Sequence, residues 1–110
     1  MSDRELLELA AKAVGVDARR LPHAWPNRFD DDQWDPLIDN GDALWLAVRL
    51  RIEYIFVSDR KTIQCSFAEH TELGDWETYL CDEPIGDDVC ASMRRAIVRA
   101  AAEIAKTREA

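Results

Sequence analysis

Carboxylates are the most frequent groups in this sequence that could do chemistry, and they lie in two runs that contain no Lys or Arg. The first run, residues 30–42, holds Asp30, Asp31, Asp32, Asp35, Asp39 and Asp42. The second run, residues 69–88, holds Glu69, Glu72, Asp75, Glu77, Asp82, Glu83, Asp87 and Asp88. Acid–base catalysis needs a carboxyl group whose pKa is shifted within a cleft. Neither run has a spacing that indicates one, so the acids favour a charged surface.

Metal binding is the second chemistry that these residue types allow. Asp30, Asp31, Asp32 and Asp35 could supply oxygen ligands to Ca²⁺ or Mg²⁺, but their spacing is not that of an EF-hand loop, which favours a solvated acidic loop. The cysteines (Cys65, Cys81 and Cys90) and histidines (His23 and His70) lack the ligand spacing of a zinc site. An odd number of cysteines with no close pair in sequence is typical of buried or idle thiols in a reducing compartment. No metal site is predicted.

Nucleophilic and nucleotide chemistry also lack a motif here. His23 and His70 could each act as a base, but neither lies in a nucleophile motif, and a surface or turn position is commoner for such residues. No Ser or Cys lies in a nucleophile elbow. Gly41 is isolated, without the glycine pattern of a phosphate-binding loop. The sequence therefore predicts no enzyme and no cofactor.

The distribution of charge is more informative than its sum. A formal net charge of −8 argues against direct nucleic-acid binding, which depends on Lys and Arg neutralising phosphates. Residues 91–110 have a net positive charge, because they contain five bases and only two acids. We therefore predict a polarised molecule, with carboxylates gathered in one water-facing area and arginines clustered away from it.

Residues 16–35 form the least regular part of the chain. Pro22 and Pro26 prevent a long helix or strand there, which predicts a long irregular loop. Trp25 and Trp34 could attach this loop to the core; alternatively, exposed tryptophans beside acids could anchor a partner protein. The second interpretation gives the predicted partner-binding residues, which are Trp25, Asp30, Asp31, Asp32, Trp34, Asp75, Glu77, Asp82 and Glu83.

Three segments carry helix signals. Ser2 and Glu5 form a capping box for a first helix that Gly15 should end. Asp39 is the expected N-cap of a second helix, which is almost continuously apolar from Ala43 on and is therefore predicted to be covered on more than one side. The last helix should begin after Asp87 or Asp88, with apolar residues at helical spacing from Val89 to Ile104 and with Lys106 and Arg108 on its other surface or at its carboxyl end.

Three strands are predicted at residues 51–57, 62–67 and 76–81. The first is apolar on both faces, which is typical of a strand inside its sheet and covered on both sides. The second alternates, with Ile63, Cys65 and Phe67 facing the core. Residues 69–75 are predicted to be a turn, and the short connections predict an antiparallel meander.

These elements predict one α+β domain over residues 1–110, in the order α-α-β-β-β-α. The composition, 47% hydrophobic and 33% charged, is that of a folded globular domain. The sheet should have three strands, or four if residues 16–21 add a short edge strand. Amphipathic helices are expected on both of its faces.

The second and last helices resemble those of a known family. The residues Trp34-Asp35-Pro36-Leu37, 39–44 and 46–48, together with the closing segment 94–104, are similar to small tailed-phage and prophage proteins of the alpha-beta-alpha sandwich type. The resemblance covers both ends of residues 34–104 and is weak across 16–33 and 59–88. Residues 39–42 read Asp-Asn-Gly-Asp where many members have Asp-Asp-Gly-Asp. The resemblance implies a phage-encoded accessory protein with that fold, and it implies no catalytic residues.

Three kinds of function remain. The first is a phage- or prophage-encoded inhibitor that binds a host factor, such as an anti-phage defence protein, through its acidic surface. The second is sequestration of a nucleotide-type ligand, with tryptophans stacking on the base and Arg94, Arg95 or Arg99 contacting phosphate. The third is an oligomeric structural or assembly protein, for which a homodimer is one arrangement. The partner is expected to be a host or phage protein.

The start of the chain and its hydropathy bear on location. Residues 1–8 carry three acids and one Arg, unlike the basic start of a signal peptide. No apolar run approaches the roughly 20 residues needed to cross a bilayer. We therefore expect a protein of the bacterial host's cytoplasm with no membrane partner.

Overall fold

The computed structural model describes residues 1–24 and 33–109, without the side chains of residues 24, 69–71, 75–76 and 109. Its helices are α1 (Asp3–Val14), α2 (Asn40–Leu50) and α3 (Val89–Glu109), and two short 3-10 helices (Ala18–Arg20 and Pro22–Ala24) follow α1. Its strands are β1 (Ile52–Val57), β2 (Thr62–Thr71) and β3 (Gly74–Pro84). The α+β class and the order α-α-β-β-β-α are therefore confirmed, in one compact domain.

The helix ends follow the local signals in the sequence. The Ser2 hydroxyl accepts a hydrogen bond from the backbone N–H of Glu5, and Gly15 ends α1 in the left-handed region at φ 82°. Asp39 caps α2 by accepting from the backbone N–H of Asp42. Asp88, rather than Asp87, caps α3, since its Oδ1 accepts from the backbone N–H of Ala91 at 3.0 Å.

The sheet is an antiparallel meander in the order β1-β2-β3. β2 and β3 are longer than predicted, because pairing continues outward to Thr71 opposite Gly74. The turn predicted over residues 69–75 is therefore confined to residues 72–73, between the paired Thr71 and Gly74. Charged residues there resemble a loop, but an exposed two-stranded hairpin carries polar side chains while its backbone groups still pair.

β1 lies at an edge of the sheet, so its predicted interior position is wrong. Tyr54, Ile55 and Phe56 are 38%, 53% and 47% exposed. Apolar residues on both faces of a strand are typical of an interior strand. In the described sheet, however, β1 pairs with β2 alone, and no further strand covers its other edge. The predicted short strand at residues 16–21 is also wrong, since the described chain turns there in the first 3-10 helix.

The described helices lie on one side of the sheet, in contrast to the prediction of helices on both faces. α3 contacts all three strands, and α1 and α2 pack against α3. α2 is covered on one side only: Ala43, Leu46, Ala47 and Leu50 are buried, while Leu44, Trp45 and Val48 are exposed. The prediction that α2 is covered on several sides is therefore wrong.

Small residues allow α3 to approach its neighbours closely. Ala96, Ala100 and Ala101 are fully buried in α3 together with Ile97. On the covered face of the sheet they meet Ile63 and Cys65, which are also fully buried, as the alternation in β2 predicts. Among the described helices, none is both long enough and apolar enough to cross a membrane.

Candidate functional site

Four charged side chains from three elements form one cluster, which we call the Glu83 cluster (Asp3, Glu83, Arg95 and Arg99). Glu83 is only 8% exposed, on the sheet face that α3 covers. Arg99 donates to Glu83 Oε2, and Arg95 Nε lies 3.4 Å from Glu83 Oε1. Arg95 also donates to Asp3 Oδ1 at 2.8 Å. The cluster joins α1, α3 and β3, and it places arginines directly against an acid of the second run.

Arg94 and Arg99 of α3 also donate hydrogen bonds to backbone and amide oxygens in the acid-rich segments. Arg94 donates to the carbonyl oxygen of Leu37 at 2.8 Å and to Asn40 Oδ1 at 2.6 Å. Arg99 donates to the carbonyl oxygen of Asp82 at 2.9 Å. The predicted separation of acids from arginines is therefore wrong at Glu83 and along the segments that Arg94 and Arg99 reach. The sequence separates them along the chain, but α3 folds back onto both segments.

The predicted partner-binding residues do not form one described surface. Trp25, Asp30, Asp31 and Asp32 lie outside the described residues, and only the backbone of Asp75 is described. Trp34 is 2% exposed, and its ring meets Trp45 edge-on at 6.4 Å between centroids. The prediction of an exposed site is thus wrong for Trp34 and Glu83, because both side chains are buried. Glu77 is exposed and Asp82 half-buried, and their partner-binding role stays a prediction.

Hydrogen bonds link the three acids at the start of α2. Asp42 Oδ2 accepts from the backbone N–H of Asp35 at 2.9 Å, and Asp39 Oδ2 accepts from the backbone N–H of Asp42 at 2.9 Å. Burial raises the pKa of the Asp35 and Asp42 carboxyl groups. Backbone N–H groups oppose that rise, since they stabilise the charged form. These acids organise the turn before α2.

A charged cleft lies beside the amino-terminal end of α1. Its volume is about 330 Å³, and its lining residues are Met1, Leu6, Arg95, Arg99, Glu103 and Lys106. The cations there already have acidic partners: Arg95 and Arg99 contact Glu83, and Lys106 lies 3.4 Å from Glu103. Because the charges are matched, the cleft offers little net attraction for an anion.

A second cleft, which we call the apolar cleft, lies between the carboxyl end of α3 and the strands β2 and β3. Its volume is about 270 Å³, and its lining residues are Phe67, Thr78, Leu80, Ile104, Thr107 and Arg108. Apolar walls with a few polar groups are typical of sites for small molecules. Arg108 is held in place by donating to the carbonyl oxygen of Ala13 at 2.8 Å. This cleft is the best candidate for a binding site in the described structure.

Little in the sequence indicates the apolar cleft. Thr78 and Leu80 fall in a predicted strand, and Phe67 was expected to face inward. Arg108 is expected on the outer surface or at the carboxyl end of the last helix, a position that does not by itself indicate contact with β2 or β3. Only the folded chain brings its last turn over the outer part of β2 and β3.

The histidines and possible metal ligands show no catalytic arrangement in the described part of the chain. His23 Nε2 lies 3.1 Å from Glu8 Oε1 at the surface. For His70, only the backbone is described. Among the side chains that the structure describes, no three of His, Cys, Asp or Glu are grouped closely enough to hold a metal ion.

Comparison with known proteins finds relatives of one kind. The chain is 29% identical over 106 residues to the (1R,4R,5S)-(-)-guaia-6,10(14)-diene synthases of Fusarium mangiferae and Fusarium proliferatum. A relative named as an inactive form of this synthase, from Gibberella fujikuroi, matches at the same identity. Each match covers 94% of this chain and 26% of the relative, so the chain spans about a quarter of the relatives' length. No family model and no solved structure matches the chain.

These relatives contradict the function predicted from the sequence. They are fungal proteins named as diene synthases, so the prediction of a phage-encoded inhibitor of a host factor is wrong. Neither alternative, nucleotide sequestration or structural assembly, corresponds to what the relatives are named for. Their names also count against the prediction that the chain is not an enzyme. The resemblance to phage sandwich proteins stays a prediction, because no family model matches.

Proposed function

We propose that this chain acts within a protein related to diene synthases, as an α+β unit that holds a hydrocarbon part of a small molecule in the apolar cleft. The observation that supports this most is the similarity to guaia-diene synthases, which extends over 94% of the chain. A diene is a hydrocarbon with two carbon–carbon double bonds. An enzyme of this kind therefore has to bind an apolar skeleton somewhere.

The lining of the apolar cleft suits such a skeleton. Phe67, Leu80 and Ile104 provide aromatic and aliphatic contact, and the exposed Thr78 stands at the mouth. Transfer of apolar surface out of water stabilises a complex by about 25 cal/mol per Å². Arg108 adds one fixed cation to this apolar lining, so a ligand with a polar end could be oriented as well as bound.

The volume of the cleft limits what it holds. About 270 Å³ is at or below the lower end of the range for drug-sized pockets, roughly 300–1,000 Å³. The apolar cleft thus fits a compact hydrocarbon or one end of a longer one. In the relatives, the part of the protein outside the matched quarter is available to enclose the remainder.

The relative named as inactive sharpens this proposal. It matches the chain as well as the active synthases do, at 29% identity over the same 106 residues. Similarity in this segment therefore does not distinguish active from inactive proteins. We accordingly assign this unit to ligand holding, and the bond-making chemistry to the rest of such a protein.

A hybrid enzyme tests the proposed function. The matched segment of the Fusarium proliferatum synthase is replaced by this chain, and guaia-6,10(14)-diene is measured by gas chromatography. We expect product from the hybrid and none from a matched deletion of the segment. A hybrid that is folded by circular dichroism, yet makes no product, would show that this unit does not serve a diene synthase.

A matched pair of variants in the same hybrid tests the cleft. Thr78→Trp places a large side chain at the mouth of the apolar cleft, and Glu77→Trp places the same side chain on the opposite face of the strand. Both parent residues are exposed, so both variants should fold. We expect Thr78→Trp to lower product formation at least about tenfold, equivalent to 1.4 kcal/mol, while Glu77→Trp leaves it unchanged. Equal activities would exclude the apolar cleft as the binding site.

A further inference from the structure

Two of the three cysteines meet in the folded protein although they are far apart in sequence. Cys65 of β2 lies directly opposite Cys81 of β3 in the antiparallel ladder. Both are free thiols and both are buried, with exposed fractions of 0% and 5%. The third, Cys90, is exposed at the start of α3.

The distance between opposed residues in such a ladder comes close to the distance that a disulfide needs. Side chains directly opposite each other have Cβ atoms about 4.5–5.5 Å apart, and a disulfide needs about 3.5–4.5 Å. Here the two thiols are close enough for each to shift the pKa of the other. The ladder is also irregular immediately beside them, between Cys65 and Ser66. A bulge of this kind bends one strand locally, which provides the small adjustment that bond formation needs.

The two thiols differ in a way that gives each a role. The hydrogen bond from Cys65 lowers the pKa of the Cys81 thiol, while the same contact raises the pKa of the Cys65 thiol. The nearby Arg99 guanidinium favours a thiolate at either position. Cys81 is thus the better nucleophile, since the thiolate is the attacking species. Cys81 Sγ also lies 3.5 Å from the carbonyl oxygen of Ala96, which fixes its position against α3.

We propose that Cys65 and Cys81 are a reversible redox pair, which closes to a cross-strand disulfide when the protein meets a low-molecular-weight disulfide. The Cys81 thiolate attacks one sulfur of that molecule, its S–S bond breaks, and one small thiolate leaves. Cys65 then loses its proton and attacks the Cys81 sulfur, which releases the second small thiolate. The protein pair is oxidised by two electrons, and the small disulfide is reduced to two thiols that take up the two protons.

Oxidation should change the protein in two measurable ways. Access to the buried pair requires local opening of the β2–β3 ladder, so the reaction should be slow in the native protein. Once formed, the disulfide links β2 to β3 and closes a loop over residues 65–81. This loop lowers the conformational entropy of the unfolded chain, which stabilises the folded protein. The oxidised protein should therefore melt at a higher temperature than the reduced protein.

Mass spectrometry of the full chain with Cys90→Ala tests this proposal. The native protein is incubated with oxidised glutathione, then denatured and alkylated. We expect a monomer whose mass is lower by two hydrogen atoms and that takes up no alkyl groups, and we expect dithiothreitol to restore both reactive thiols. Two alkylated thiols after native incubation, a stable glutathione adduct, or covalent dimers would each overturn the proposal.

Single variants provide the matched controls. In the Cys90→Ala background, Cys65→Ala should stop at the glutathione adduct of Cys81, because no second thiol is present to release it. Cys81→Ala likewise leaves one thiol of the pair and should form no internal disulfide. Because the difference between the two thiols depends on their mutual contact, the attacking residue is identified with both present: the first glutathione adduct of the Cys90→Ala protein is trapped early with acid and located by peptide mass spectrometry. An adduct on Cys65 rather than Cys81 would overturn the assignment of Cys81 as the attacking residue.

Discussion

Single residues in this protein are defined by the groups they contact, and Asp42 is a clear case. Its position in the first turn of α2 was evident from the sequence. Its second role was not, because Oδ2 also accepts from the backbone N–H of Asp35, seven residues earlier. Partial burial that accompanies this contact raises the pKa of its carboxyl group. The stability of the turn before α2 should therefore depend on pH through Asp42.

The pH dependence of stability follows from that shift. Because the pKa of Asp42 is raised in the folded state above the usual 3.8, the native protein holds this proton at pH values where the unfolded chain has lost it. Its contribution to stability is then greatest at low pH and falls as pH rises through the raised value. Asp42→Asn removes the titration but retains an oxygen acceptor. We expect the free energy of unfolding of Asp42→Asn, relative to the parent, to increase as pH rises from below 3.8 through the raised pKa of Asp42.

Urea denaturation at several pH values measures this difference. Asp42→Ala is the control, since it lacks both the charge and the acceptor and should be less stable than Asp42→Asn throughout. A difference between Asp42→Asn and the parent that stays constant or shrinks with rising pH would contradict the predicted direction.

Among the elements, α2 shows how far a sequence pattern can mislead. Its apolar residues are almost continuous, which predicted burial on several sides. In the structure only the side toward α1, α3 and β1 is covered. Arg49 lies over the exposed Trp45, at 6.0 Å from its ring centroid. The two sides of one helix should therefore respond very differently to substitution.

Two substitutions in α2 test this difference. Leu46 is fully buried, so Leu46→Ala should lower the free energy of unfolding by about 2–5 kcal/mol through lost contact and the cavity that remains. Val48 is 67% exposed, and Val48→Lys should change the free energy of unfolding by no more than about 0.5 kcal/mol. Both are measured by urea denaturation with an unchanged slope. A large loss for Val48→Lys would mean that the outer side of α2 is covered in solution.

At the scale of the whole molecule, α3 organises the fold. It covers the sheet on one side and receives α1 and α2 on the other. Its arginines reach in both directions: Arg108 donates to Ala13 in α1, and Arg99 contacts Glu83 in β3. The Glu83 cluster is thus a tertiary link between layers that the sequence separates by about eighty residues.

Loss of the Glu83 charge should weaken the contacts that join α1, α3 and β3. Glu83→Gln leaves Arg99 without this charged partner and leaves Arg95 with Asp3 alone, and we expect a loss of about 3 kcal/mol in the free energy of unfolding. That is the low end of the usual range, because both arginine side chains are 37–38% exposed. Glu103→Gln, which breaks the exposed pair with Lys106, should cost less than about 1 kcal/mol. Equal losses in thermal or urea unfolding would show that Glu83 has no special role.

Local chemistry in the sequence determined the elements of this protein. Ser2, Gly15 and Asp39 set helix ends through contacts within a few residues, so those ends and the α-α-β-β-β-α order could be predicted. The alternation in β2 likewise predicted its buried face. Each of these signals depends on neighbours along the chain, and neighbours along the chain are visible in a sequence.

Tertiary structure alone decided the candidate site, the burial of Glu83 and the meeting of Cys65 with Cys81. Each depends on which distant segments pack together, and on a strand register that charge and hydropathy patterns leave open. The arginines of α3 and the acids of β3 look like separate poles in sequence. They become partners because a half-buried guanidinium beside a buried carboxylate is far more stable than either charge left unpaired.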